Sequence, residues 1–171
     1  NNYGIELDIK KSLDFIGLKD FSLTFNGAII DSKVKFEEGA INDHDRPMQG
    51  QSPYLINTGV FYQNDKWGLT SSLLYNIIGK RIVGIGKVDT SEGSTINNDI
   101  PDMYEMPRNT IDFSFTKKIG KQFEVNAGIK DILAQKVQFK QFPKFEDSEG
   151  NIHEREQVTK EFKPGRNISL T

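Results

Sequence analysis

The chain has 171 residues, 36% apolar and 27% charged, with a net charge of -2 and no cysteine. The near-neutral charge offers no basic surface for nucleic acid, and the lack of cysteine excludes a disulfide framework and thiolate metal sites. Apolar runs such as residues 27–30 are far shorter than the roughly 20 residues that a membrane-spanning helix needs, so we expect no such helix.

Seven segments alternate apolar and polar residues, the pattern of strands with two different faces. They cover residues 4–12, 21–35, 54–63, 67–78, 109–117 and 122–133, and the last begins at 166. In the first, Ile5, Leu7 and Ile9 point to one side and polar residues to the other. No segment keeps a helical period over three turns. We therefore predict an all-β fold.

The connections between these segments alternate in length. Short turns at 14–20, 64–66 and 118–121 are followed by long connections at 36–53, 79–108 and 134–165, which we expect to be structureless loops. In an antiparallel order, all the long connections lie at one end of the sheet. Short periplasmic turns and long extracellular loops are typical of an up-and-down transmembrane β-barrel.

The two faces give two sets of candidate residues. Apolar residues would face lipid, and the polar residues of the same strands would face the lumen. The lumen-facing candidates are Glu6, Asp8, Thr24, Asn26, Ser72, Asn76, Asp112, Ser114, Glu124 and Asn126. Aromatic residues at the strand ends beside the short turns would form a periplasmic girdle. They are Phe15, Phe21, Tyr62, Trp67 and Phe123.

No catalytic constellation is present in the sequence, so we expect no enzyme activity and no cofactor. The two histidines, His44 and His153, fall in different loops, and the neighbours of His44 (Asp43 and Asp45) are more typical of a solvated loop than of a metal site. Gly79 and Gly84 lack the lysine and hydroxyl that a phosphate-binding loop requires. We expect these glycines, with Gly86, to loosen the base of the second long loop.

Several passages resemble TonB-dependent outer-membrane receptors of the Bacteroidetes. They are RPMQGQSPYLIN at 46–57, LLYNIIGKRI at 73–82, YEMPRN at 104–109, GIKDILAQ at 128–135 and KPGRNISL at 163–170. The resemblance covers most of the chain. It implies a barrel of 22 strands, of which residues 1–171 would form the C-terminal part with about the last seven strands. Both ends of the chain lie in mid-alternation, so we expect it to be cut from a longer protein, with the plug domain absent.

The same resemblance implies a function and a set of partners. The parent protein would take up a nutrient (an iron chelate, cobalamin, a glycan or a peptide) across the bacterial outer membrane. Its partners would be outer-membrane lipid, the rest of its own barrel and plug, and the TonB energy-coupling complex, reached through the N-terminal part. A surface lipoprotein, or assembly or secretion machinery, is a further candidate partner.

Two alternatives stay open at this stage. One is a passive porin-like channel or an adhesin barrel without energy coupling. The other is a soluble β-sandwich that binds a ligand. The sandwich predicts that the apolar face is buried in a protein core, whereas the barrel predicts that it is exposed to lipid. The sandwich also predicts that the chain dissolves and melts cooperatively without detergent.

Overall fold

The structure, a computed structural model, describes residues 2–35, 46–89, 91 and 93–171. Within these residues it contains thirteen β-strands and two short 3₁₀ turns, at Asp14–Ile16 and Ile96–Asn98. The strands are β1 (Asn2–Leu13), β2 (Leu18–Ser32), β3 (Tyr54–Asn64), β4 (Leu69–Ile78), β5 (Arg81–Gly84), β6 (Met103–Glu105), β7 (Arg108–Ile119), β8 (Phe123–Lys130), β9 (Val137–Gln141), β10 (Lys144–Glu146), β11 (Ile152–Glu154), β12 (Gln157–Phe162) and β13 (Asn167–Leu170). No helix in the described residues is long and apolar enough to cross a membrane.

The seven predicted segments form one antiparallel sheet of seven strands, in the order β1-β2-β3-β4-β7-β8-β13. The predicted all-β, antiparallel fold is therefore confirmed. Each strand pairs with the next long strand along the chain, so the short connections lie at one end of the sheet and the long ones at the other. Several boundaries differ from prediction by one to three residues: β2 spans 18–32 rather than 21–35, β4 begins at Leu69 rather than 67, and β8 ends at Lys130 rather than 133.

The strand register gives this sheet two chemically different faces. Side chains directly opposite each other on paired strands lie on the same face. Val60 is paired with Leu73, Leu73 with Phe113, and Phe113 with Ile129. The row continues to Ile168 in β13. One face is thus apolar across the strands, and the residues between these positions form a mostly polar face.

The apolar face is uncovered. Ile5 is 78% exposed, Ile29 72% and Ile168 74%. Only Ala28 and Ile82 are buried hydrophobic residues among those that the structure describes. The accessible surface is 12211 Å², whereas a compact globular protein of this mass exposes about 8,500 Å². The sheet is a single layer, unlike the two packed layers of a soluble domain.

The prediction that the long connections are structureless is wrong. Strands from the second and third long connections pair into a four-stranded sheet in the order β12-β9-β6-β5, and β10 and β11 form a separate hairpin. Ile82 in β5 is 1% exposed. Backbone hydrogen bonds link this small sheet to the first long connection, since the Gly50 N–H donates to the Ile82 carbonyl at 2.8 Å. The small sheet and the hairpin thus add regular structure to the second and third long connections.

Candidate functional site

The polar face carries the predicted lumen residues of β1 and β2, and hydrogen bonds join two of them, Glu6 and Asn26, in a row with Asn57 on β3. The Asn26 side-chain amide nitrogen donates to the Glu6 carboxylate at 2.9 Å, and the Asn57 side-chain amide donates to Oδ1 of Asn26 at 3.4 Å. Asp8 is opposite Asn26, and Thr24 is opposite Gly59. The row is exposed and presents both donors and acceptors to whatever faces this side of the sheet.

A second polar group lies on β4, β7 and β8. The hydroxyls of Ser72 and Ser114 are 2.7 Å apart. The Thr116 hydroxyl donates to Asn126 at 2.7 Å, and Asn126 donates to Glu124 at 3.3 Å. Except for Glu124, these side chains line a shallow open cavity of about 330 Å³ together with neighbouring residues of β8 and β13. These groups supply hydrogen-bond donors and acceptors to the cavity.

The remaining predicted lumen residues are Asp112, which has a hydrogen-bond partner within the protein, and Asn76. Asp112 accepts a hydrogen bond from the Asp131 backbone N–H at 2.8 Å, which ties the end of β8 to β7. Asn76 is opposite Asn57 in the register. Glu6 and Asp8 stand on β1, while Asp112 and Glu124 stand on β7 and β8, with β2, β3 and β4 between. The structure therefore does not bring these carboxylates together as an acid–base pair.

The predicted girdle residues lie at the end of the sheet that carries the short turns. Phe21 and Tyr62 are register partners, and their ring centroids are 4.9 Å apart. Phe15, Trp67 and Phe123 are 70%, 65% and 69% exposed. The Lys11 ammonium lies over the Phe15 ring at 5.6 Å. Exposed aromatic side chains, one of them beside a lysine, thus lie together at the end of the sheet that carries the short turns.

At the opposite end, a cavity of about 560 Å³ lies between the second and third long connections. One wall consists of Tyr104 and Phe142, whose ring centroids are 5.8 Å apart. The Lys80 ammonium lies 4.3 Å from the Tyr104 centroid and 4.8 Å from the Phe142 centroid. Burial raises the pKa of the Tyr104 hydroxyl, with a further contribution from Asp102. The phenol therefore stays neutral at physiological pH.

Two ion pairs fix the walls of this cavity. Asp102 accepts a hydrogen bond from the Gly86 N–H at 2.7 Å and pairs with Arg46 at 3.4 Å. Both side chains of that pair are about nine-tenths buried, at 10% and 9% exposure. Arg81 donates from Nε and Nη2 to one oxygen of Glu105, at 2.9 and 2.7 Å. These contacts hold β5, β6 and Arg46 of the first long connection together at the wall of the cavity.

The expectation that the glycines loosen this region is wrong for Gly86. A Cβ atom at Gly86 would lie 2.1 Å from the Ile100 carbonyl oxygen and 2.7 Å from the Pro101 carbonyl carbon. The glycine allows two backbone segments to approach closely, and Lys87 and Ile100 exchange hydrogen bonds of 2.8 Å there. It tightens the cavity wall rather than loosening it.

The two predicted histidine sites have different outcomes. His44, with Asp43 and Asp45, lies outside the residues that the structure describes. His153, on β11, lies 2.7 Å from Asp147, and its hydrogen bond is the largest of several that together lower the pKa of that carboxyl to about 2. The described residues contain no cluster of three or more potential metal-ligating His, Cys, Asp or Glu side chains. His153 therefore has a structural partner within its own hairpin.

Sequence reasoning did not identify the cavity between the long connections. Its lining comes from residues 80–104 in the second long connection and 142–154 in the third. No local motif marks these lysines and aromatic residues, which come together only when β5, β6 and β9 pair and β10 and β11 form their hairpin. The one available signal is the resemblance of 73–82 and 104–109 to receptor sequences, which includes Lys80 and Tyr104.

The chain matches no protein-family model, no curated protein and no solved structure. The fold and the two faces of its sheet therefore define the class to which it belongs. It is an all-β chain with a single-layer antiparallel sheet, apolar on one face and polar on the other.

Proposed function

We propose that this chain is the C-terminal wall of a TonB-dependent outer-membrane receptor of the Bacteroidetes. In this proposal the seven-stranded sheet is part of a barrel of 22 strands. The parent protein imports a scarce nutrient across the bacterial outer membrane. The long connections lie outside the cell and the short turns in the periplasm.

The observation that carries the proposal is the uncovered apolar face. Exposed Ile, Leu, Phe and Val side chains extend across a single-layer sheet, and their transfer from water is favourable by about 25 cal/mol per Å². Such a face needs an apolar neighbour, since exposed apolar patches larger than a few hundred Å² mark contact or membrane surfaces. Lipid satisfies this need along the whole face, as in outer-membrane barrels.

The polar face and the sheet edges fit the same proposal. The row from Glu6 to Asn57 would line the lumen, where water or a plug domain requires hydrogen-bonding groups. β1 and β13 form the two edges of the sheet and do not pair with each other in the described residues. Unpaired edges favour association with further strands. The rest of the barrel would supply those strands, and the plug would contact the polar face and the energy-coupling complex.

The proposal is tested on the full-length parent protein by cell fractionation and by migration on a semi-native gel before and after boiling. We expect recovery in the outer membrane and a band that shifts on boiling, because a closed barrel resists unfolding by detergent until heated. Recovery in the soluble fraction without a shift would favour the β-sandwich module. The passive channel or adhesin is distinguished by uptake: a receptor loses uptake when the energy-coupling protein is deleted, and a passive channel does not.

A further inference from the structure

The cavity between the second and third long connections has the size and chemistry of a ligand site. Its volume of about 560 Å³ falls within the roughly 300–1,000 Å³ of small-molecule pockets. Three lysines from separate segments line it: Lys80 follows β4, Lys87 precedes the second 3₁₀ turn, and Lys144 begins β10. None of the three ammonium groups forms an ion pair with a carboxylate in the part of the chain that the structure describes.

The carboxylates in the same lining are largely engaged within the protein. Asp102 is held by Arg46 and by the Gly86 N–H. Asp99 accepts a hydrogen bond from the Asp89 N–H at 3.0 Å. Glu154 is the register partner of Lys144 on the hairpin and is exposed. The lining therefore has three acids and three lysines. Two of the acids have internal partners, whereas the Lys80 ammonium lies over aromatic rings and Lys87 acts on the nearby Asp89 without forming an ion pair among the described residues.

Lys80 also decides what kind of ligand fits the aromatic wall. Its ammonium occupies the space over both rings of the wall, at 4.3 and 4.8 Å from their centroids. A sugar that stacks on these rings would have to displace it. The two rings hold the ammonium by cation–π attraction, so a positive charge borders the cavity. The favoured ligand is an anion whose charged group meets the ammonium.

We propose that this cavity binds small organic anions, which carry a carboxylate or phosphate group, through Lys80, Lys87 and Lys144. Lysine suits both groups because it acts as a compact point charge with three donors. Half-buried Tyr104 and Phe142 contact the remainder of the ligand. Anion binding by this cavity does not depend on the proposed function. The further statement that such anions are the nutrient imported by the parent protein does rest on it.

The test uses the full-length protein purified in detergent and isothermal titration calorimetry. The probes are citrate, glycerol 3-phosphate and, as the neutral comparison, maltose. We expect saturable binding of at least one anion and none of maltose. The double variant K80Q/K144Q should bind that anion at least about tenfold more weakly, because it loses two charge-assisted hydrogen bonds. Citrate and glycerol 3-phosphate distinguish a carboxylate from a phosphate ligand.

Two further variants separate lost binding from lost folding. K80R/K144R retains both charges and should keep binding within about threefold of wild type. K121Q removes one lysine in the turn at the opposite end of the sheet and should leave binding unchanged. Wild type that binds neither anion, or K80Q/K144Q that binds as tightly as wild type, would overturn the inference. Fractionation of the same protein reports on the transport proposal separately, so either proposal can fail alone.

Discussion

At the residue scale, Gly86 determines whether the loop cavity can form. A methyl group there would collide with the Ile100 carbonyl oxygen at 2.1 Å, and a backbone atom cannot move aside as a flexible side chain can. We expect Gly86→Ala to lower the local free energy of unfolding by about 1–3 kcal/mol, the usual cost of overpacking. Amide hydrogen exchange at Lys87 and Ile100, which bond each other at 2.8 Å, reports the change directly.

Gly84 provides a matched control for that substitution. A Cβ atom at Gly84 would first meet the terminal methyl group of Met103 at 3.2 Å, which is the end of a flexible side chain. Gly84→Ala should therefore leave exchange at Lys87 and Ile100 nearly unchanged. Equal acceleration by the two substitutions would show that glycine flexibility, rather than close backbone approach, is what this region requires.

At the element scale, the success of sequence reasoning depended on strand length. The strands of the large sheet, such as β1 and β7, span twelve residues each, enough for alternation to be recognised and for both faces to be assigned. β5 and β6 have four and three residues. Their period cannot be recognised, and their pairing is non-local, with β6 joined to β9 across the chain. The small sheet, and with it the cavity at Lys80 and Tyr104, could not be predicted.

The β10–β11 hairpin gives a pH-dependent prediction at the same scale. Asp147 accepts hydrogen bonds from the Glu149 and Asn151 N–H groups, each at 2.9 Å, and from His153, which is the largest cause of its lowered pKa of about 2. Because the folded pKa is below the ordinary 3.8, ionised Asp147 stabilises the hairpin fully above pH 3.8. That contribution disappears as the pH falls through about 2.

His153→Ala should therefore move the titration of Asp147 upward. We expect the midpoint to rise from about 2 toward the ordinary value of 3.8. The amide proton shift of Asn151, which donates to the same carboxylate, follows the titration by NMR. Ser148→Ala changes the same turn without removing a hydrogen bond to Asp147 and serves as the control. A midpoint that stays near 2 in His153→Ala would assign the lowered pKa to the backbone donors instead.

At the scale of the whole molecule, the two faces of the large sheet predict opposite responses to charge. Leu73 is at the middle of β4 on the apolar face, and its neighbour Ser72 is on the polar face. In an outer-membrane barrel, an arginine facing lipid costs about 2–4 kcal/mol at the bilayer midplane and about 0–1 kcal/mol near the interface. We therefore expect Leu73→Arg to destabilise the full-length protein by about 2–4 kcal/mol and Ser72→Arg to have little effect.

Ile119 tests whether the cost depends on depth, which a lipid-facing sheet requires and a soluble core does not. It lies on the same apolar face, next to the short turn between β7 and β8, and is 53% exposed. At the interface an arginine can reach the headgroups, so Ile119→Arg should cost at most about 1 kcal/mol. Urea unfolding of the parent protein in lipid vesicles measures all three variants. Equal losses of unfolding free energy at Leu73 and Ile119, or a large loss at Ser72, would contradict a membrane position for this sheet. Only lipid makes an added charge destabilising on one face and most destabilising halfway along the strand.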